Sequence, residues 1–391
     1  MNLLELGVGE TAPQSLGRAL LDLAYRIVAP PFLQPHRAGH ATTLLAAALG
    51  VLEHMAQIFV WFFVAGVIVY ALSVGARGKA RLPRFVYPKT IGQIDERFTL
   101  RGAFKYLLPA DVYRNRSFWV DMFWLPFSTI LNFFGLAGLV MGTALVQGWL
   151  QQHLGHSPLS IPDGLFAVVL QVVIVLVARD FGHYVWHIQG HTIPFFWEFH
   201  KGHHSAEVLH PFHVRTHPVD MFIRNTYIAV GGGLISGAVI YLLGMKFSVT
   251  TAAWIAIWGA CVEVLQLPEH SHVRLSFGKF LDSIIYPPYL HHFHHGAKPE
   301  HMNVNLGLTG GLVLWDRLFG TYYNPKPGEE VVWGASLEEL GDRNPHRTLW
   351  GFFFTPFVEA FRTLRPRPAA VDPRQTLPTG GIGVASRSSA T

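Results

Sequence analysis

A single cysteine, Cys261, is all that a chain of 391 residues carries. No internal disulfide can form and no thiolate cage can be built, which suits a reducing, cytoplasm-facing setting. Charge is scarce as well. Asp, Glu, Lys and Arg make up 14% of the chain, against about 25% in ordinary soluble domains. That is too little to coat a protein of this size in water, and it points to a chain that leaves much of its surface in lipid. Mean hydropathy is only moderate, +0.28, so several membrane spans are expected beside a substantial part outside the bilayer. The amino-terminal MNLLELGVGE lacks the basic and apolar regions of a signal peptide. A formal net charge of +5 raises the question of nucleic acid, but the basic residues flank apolar runs. They are read as topology signals and headgroup contacts, and no nucleic-acid partner is expected.

Five apolar runs organise the chain. Gln14–Leu33 precedes them and reads as an interfacial amphipathic helix. Ile58–Val74 is long enough to span. It is followed by Gly75–Arg116, with ten Lys/Arg, which the positive-inside rule assigns to the cytoplasm. Met122–Val146 returns, and the connector Gln147–Gly164 has no Lys or Arg, as an outer segment should. Leu165–Val177 is apolar but short, about 20 Å as a helix, and needs its flanks to cross. Tyr227–Met245 and Phe247–Val262 form a hairpin that leaves and returns on one side.

Histidine is what the chain has in excess. Of 22 histidines, 16 fall between His183 and His301. His187 and His191 are spaced H-x-x-x-H; His200, His203 and His204, and again His291, His294 and His295, are spaced H-x-x-H-H. Residues three and four apart share one face of a helix, so each triplet presents three imidazoles together. That is more nitrogen than one structural zinc needs and suggests two ions with four or five nitrogens each. Imidazole suits several transition metals, so residue type alone does not name the ion. The aromatic FFWEF at Phe195–Phe199 fits a lipid–water interface, from which a non-polar substrate could reach the metals.

These residues resemble the membrane fatty acid hydroxylase/sterol desaturase superfamily of diiron oxygenases. The resemblance runs through Asp180/Tyr184/His187/His191, His200/His203/His204/Ser205, the segment Glu269–Leu275, His291/His294/His295, Asn305/Gly307 and Trp315–Tyr322, over about residues 118–323. It implies that His187, His191, His200, His203, His204, His270, His291, His294 and His295 bind two iron ions. His272 stands where the family has Asn, and is read as a tenth ligand or as a hydrogen-bonding substitute. The usual Arg after the first ligand is Ile188. Asp180, His217, Asn305 and Asp316 are candidates to support the ligands, Asp180 and Asp316 by holding imidazole N–H groups or by capping helices. His183, His210, His213, His292 and His301 are read as caps, core or surface groups.

The implied protein is an all-α integral membrane protein with four to five transmembrane or re-entrant helices and a cytoplasmic His-rich catalytic domain. Residues 1–117 hold the interfacial helix, first span and basic loop; 118–323 the hydroxylase-like domain; 324–365 an extension; and 366–391 a Pro/Gly/Ser-rich tail read as disordered. The implied activity is hydroxylation or desaturation of a lipid with dioxygen. Electrons would come from a separate ferredoxin or cytochrome with its reductase, because no haem, flavin or iron–sulfur motif is present. A His-rich metal transporter or sensor is the alternative. Transporters, however, hold ligands near the bilayer midplane on broken helices, and a b-type haem protein needs histidines inside its spans.

Overall fold

The computed structural model describes residues 99–326 almost without interruption, together with 344–365 and scattered positions before 99 and between 329 and 333. The expected interfacial helix at 14–33, most of the first apolar run, the tail and His272 lie outside the described residues. Among the described residues the protein is helical, with sheet confined to two ladders of two residues each. One of these joins Arg84–Phe85 to Val332–Trp333 in parallel.

Helix α1 (Leu100–Leu107) starts at Thr99, whose hydroxyl accepts from the Gly102 amide at 2.9 Å, and α2 (Ala110–Tyr113) follows. Asn115 then caps α3 (Arg116–Leu154) by accepting from the Ser117 amide. Helix α4 is Leu165–Thr192. Pro194, which fits a first turn but cannot continue the preceding helix, opens α5 (Pro194–His204). Helix α6 (Pro218–Thr226) widens into a π-helical stretch, Tyr227–Gly232, and runs on as α7 (Gly233–Leu242). Helix α8 (Val249–Gln266), the short α9 (Pro288–His294) and α10 (Leu314–Phe319), and α11 (Leu349–Thr363) complete the described chain.

Three helices among the described residues are long and apolar enough to cross a membrane: Ile130–Leu154, Leu165–Thr192 and Pro218–Leu242; Val249–Gly259 is apolar but shorter. The span that looked short in the sequence is not short. Helix α4 continues through Arg179 and Asp180 to Thr192, 28 residues, or about 42 Å at 1.5 Å per residue. Against a hydrocarbon core of about 30 Å, it is long enough to cross and still carry two further turns, the length that holds His187 and His191.

Lipid tails are as apolar as the helices, so close packing rather than water exclusion must join the spans. The seam of α3 with the π-helical stretch and α7 is built for it. Gly138 faces Ala229, and Gly142 lies so close that a Cβ there would sit 2.7 Å from the Ala229 carbonyl oxygen. Thr143 and Ser236 hydroxyls meet across the seam at 2.7 Å. We expect Gly142→Leu to lower the melting temperature of the detergent-purified protein, by overpacking worth about 1–3 kcal/mol. Gly148→Leu on the same helix, where a Cβ meets nothing within 4 Å, should leave it unchanged.

Candidate metal centre

The last turns of α4 carry His187 and His191, α5 carries His200, His203 and His204, the turn after α8 carries His270, α9 carries His291 and His294, and its C-cap is His295. Both H-x-x-H-H helices begin on a proline, which fixes where each triplet starts. The nine imidazoles gather into two groups. Nitrogens of His187, His191, His200, His204 and His294 lie within 4.8 Å of one another, and those of His203, His270, His291 and His295 do the same.

The triplets do not serve one group each. His200 and His204, one turn apart, enter the first group while His203 crosses to the second; His291 and His295 enter the second while His294 crosses to the first. Adjacent residues on a helix point about 100° apart, so a histidine doublet reaches two neighbouring sites at once. The groups touch: the rings of His204 and His295 stack at 4.4 Å.

The inner nitrogens suit metal ions. In the second group Nε2 of His270 lies 3.2 Å from that of His203 and 3.0 Å from that of His291, which is 3.0 Å from that of His295; in the first, Nε2 of His200 and His204 are 3.2 Å apart. Two nitrogens each about 2.1 Å from one ion stand about 3.0–3.4 Å apart. Nε2 of His191 and of His294 are buried with no hydrogen-bond partner, an arrangement costly for a polar atom and ordinary for a ligand.

Four of the outer nitrogens are held by hydrogen bonds. His187 Nδ1 donates to the Leu306 carbonyl at 2.7 Å, His294 Nδ1 to the Val304 carbonyl at 3.0 Å, His191 Nδ1 to Asn303 Oδ1 at 3.2 Å, and His200 Nδ1 to Asp220 Oδ2 at 2.9 Å. Glu269 Oε1 stands 3.2 Å from His291 Nδ1. A proton fixed on Nδ1 leaves the Nε2 lone pair facing inward. Burial, reinforced by the neighbouring imidazoles, holds His203, His204, His270, His291 and His295 well below the ordinary histidine range. Burial likewise brings His294 down to about 3. The rings are therefore neutral at pH 7, the form that binds metal.

The other sequence candidates sit around the groups rather than on them. Asp180 accepts from the Leu312 amide and the Trp315 indole. Asp316 accepts from the Leu306 and Gly307 amides; it holds the loop whose Leu306 carbonyl takes His187. A side chain at Gly307 would collide with Tyr286 and Asp316. Asn305, in the left-handed region at φ 52°, accepts from the Tyr323 amide. His217 caps α6 by accepting from Val219 N and so steadies the helix that carries Asp220. His292 Nε2 is 2.8 Å from the Pro268 carbonyl oxygen, His301 pairs with Glu329, and His210 and His213 with Asp121. Sequence reasoning passed over Asp220, Glu269 and Asn303. Asp220 lies three residues after the candidate His217 and was the one with a local signal.

Asp220→Asn should weaken metal binding about 10- to 100-fold, read as metal retained after chelator dialysis. His292→Ala should retain the metal and lower thermal stability by about 1–3 kcal/mol, because it strands the buried Pro268 carbonyl.

Residues 172–321 match the fatty acid hydroxylase family. The chain is 35% identical over 159 residues to the ornithine lipid hydroxylase of Rhizobium tropici, covering 40% of this chain and 43% of that protein. It is 26% identical over 160 residues to the alkylglycerol monooxygenase of Xenopus tropicalis and 24% over 157 residues to that of Danio rerio, each match covering 40% of this chain and 31% of the relative. The matched stretch thus spans less than half of each of these relatives. No solved structure matches the chain. Residues 172–321, which hold both histidine groups, are thus the part of the chain that is similar to fatty acid hydroxylases, in keeping with the superfamily that the histidine motifs resemble.

Proposed function

We propose that this protein is a membrane-bound oxygenase that hydroxylates a lipid at a pair of non-haem irons. The observation that carries the reading is the convergence of nine imidazoles into two touching all-nitrogen groups at the end of a membrane-length helix. Two bound irons would supply the activation of dioxygen and the electron exchange that attack on an unreactive C–H bond requires. His187, His191, His200, His204 and His294 would hold one, and His203, His270, His291 and His295 the other. Around them the chain supplies fixed tautomers through Asp220, Asn303 and the Leu306 and Val304 carbonyls. It also supplies an aromatic wall: the Trp197 ring lies 5.3 Å from that of His191 and 5.5 Å from that of His204. The relatives are named for hydroxylation of ornithine lipid and oxidation of alkylglycerol. A polar lipid lying with its headgroup at the surface and its chains in the bilayer is the substrate class that fits.

The balance of the reaction sets a further requirement. A C–H bond and O2 become C–OH and water only if two electrons and two protons are added. The sequence holds no haem, flavin or iron–sulfur motif, so a ferredoxin or cytochrome with its reductase would deliver the electrons. The histidine face would be cytoplasmic, given the ten Lys/Arg of Gly75–Arg116 against none in Gln147–Gly164.

Purified protein loaded with iron and given lipid extract and oxygen should stay inert until a reduced carrier is added, then yield a lipid one oxygen atom heavier by mass spectrometry. Turnover without any reductant, or full activity with zinc and no iron, would sink the proposal. The orientation is tested separately in sealed vesicles of a Cys261→Ser background. Single cysteines at Gln152 and Lys298 should label from opposite sides, and labelling from one side would reverse the assignment.

A further inference from the structure

The two groups are unequal, five nitrogens against four, and a fifth imidazole stands beside the smaller one. His213 lies on the strap between α5 and α6. Its ring stacks on that of His203 at 4.9 Å with an interplanar angle of 25°, and lies 5.0 Å from His270 and 5.9 Å from His295. Rings within the second group are 4.6–6.3 Å apart, so His213 keeps that spacing to three of the four members, His203, His270 and His295. The ring is buried. Nδ1 faces Asp121 Oδ2 at 3.3 Å, while Nε2 is shut away from solvent with no hydrogen-bond partner.

Asp121 is set up to hold that ring. It is buried in the first turns of α3, and its Oδ2 also faces His210 Nε2 at 3.1 Å and an Arg215 guanidinium nitrogen at 3.2 Å. Burial alone would push the carboxyl up. Arg215 and His213 beside it, with the hydrogen bonds from His210 and His213, outweigh burial and keep it well below the usual range. A carboxylate on Nδ1 keeps the proton there and turns the Nε2 lone pair away from itself. That is the arrangement found behind metal-bound histidines.

Asp121, His210 and His213 also cluster as if to hold an ion of their own. The Arg215 guanidinium on the same carboxylate oxygen argues against it, since a fixed positive charge already fills the place an ion would take. Resting on the metal-centre reading above, we propose that His213 is a fifth nitrogen donor to the second metal, with Asp121 as its orienting carboxylate. The two ions would then have five imidazoles each. His210 and Arg215 take the positioning role of locking Asp121.

The test uses detergent-purified full chain loaded with 57Fe, read by metal content after chelator dialysis and by Mössbauer spectroscopy, which resolves the two irons. Wild type should hold two. His213→Ala should lose one iron to chelator at least 10-fold faster and change that iron's spectrum alone. Asp121→Asn should act on the same iron, about 10- to 100-fold. In His213→Gly, added imidazole should restore the wild-type spectrum. If His213→Ala accumulates poorly, His213→Gln keeps the side-chain volume and a bond to Asp121, and should still perturb the one iron. Two irons with unchanged chelator resistance and spectra in these variants overturn the proposal, as does equal loss of both irons. A wild type that binds no metal would instead refute the metal centre itself.

Discussion

Everything in the described structure is arranged around one electrostatic constraint: buried lone pairs pointing at one another. Imidazole nitrogens at 3.0–3.2 Å, buried away from water, are tolerable when a cation lies between them and costly otherwise. The supporting structure follows from that constraint. Each ring needs its proton pinned on the outer nitrogen, so carbonyls, an asparagine and carboxylates ring the site. The carbonyls belong to the 303–307 loop, which bends through two left-handed asparagines, Asn303 and Asn305. Its amides are in turn tied to Asp316. Helix α5 packs its aromatic face against α11, where Phe199 meets Phe357 at 5.3 Å.

What the sequence made legible was the chemistry that repeats at helical spacing. The three histidine motifs, the membrane-length runs and the single histidine after α8 are all local patterns. The structure gathers nine of those residues. The division of labour inside each doublet was not legible, although its cause is elementary. Neighbours on a helix diverge by about 100°, so His203 and His204 were bound to face different partners once two sites lay side by side. The supports were hidden for another reason. Asp220 meets His200 across 20 residues, Asn303 meets His191 across 112, and Asp121 meets His213 across 92. No period or motif encodes such pairings.

The same limit explains the span at Leu165. Read by hydropathy, it stopped at Val177, because Arg179, Asp180 and the histidines interrupt the apolar run. The backbone is indifferent to that interruption. Helix α4 has no proline, and its polar end is buried against the 303–312 loop, α10 and the π-helical stretch. There Gly182 packs on the Tyr227 carbonyl and Asp180 takes the Trp315 indole. Composition changed along this segment while conformation did not.

That unbroken rod has a geometric consequence. Each residue of α4 adds about 1.5 Å of height and 100° of rotation, so the distance from the apolar run to His187 sets both how far the histidine groups stand beyond that run and the compass bearing of the α4 rings. The two cannot be adjusted separately: one inserted residue would lift the ring slightly and turn it to the wrong side. A lipid anchored by its headgroup presents each of its carbons at a characteristic depth. On the proposed function, ligands at a fixed height would select among those carbons by position, as a gauge does, and the length of a helix would help to set which carbon is oxidised.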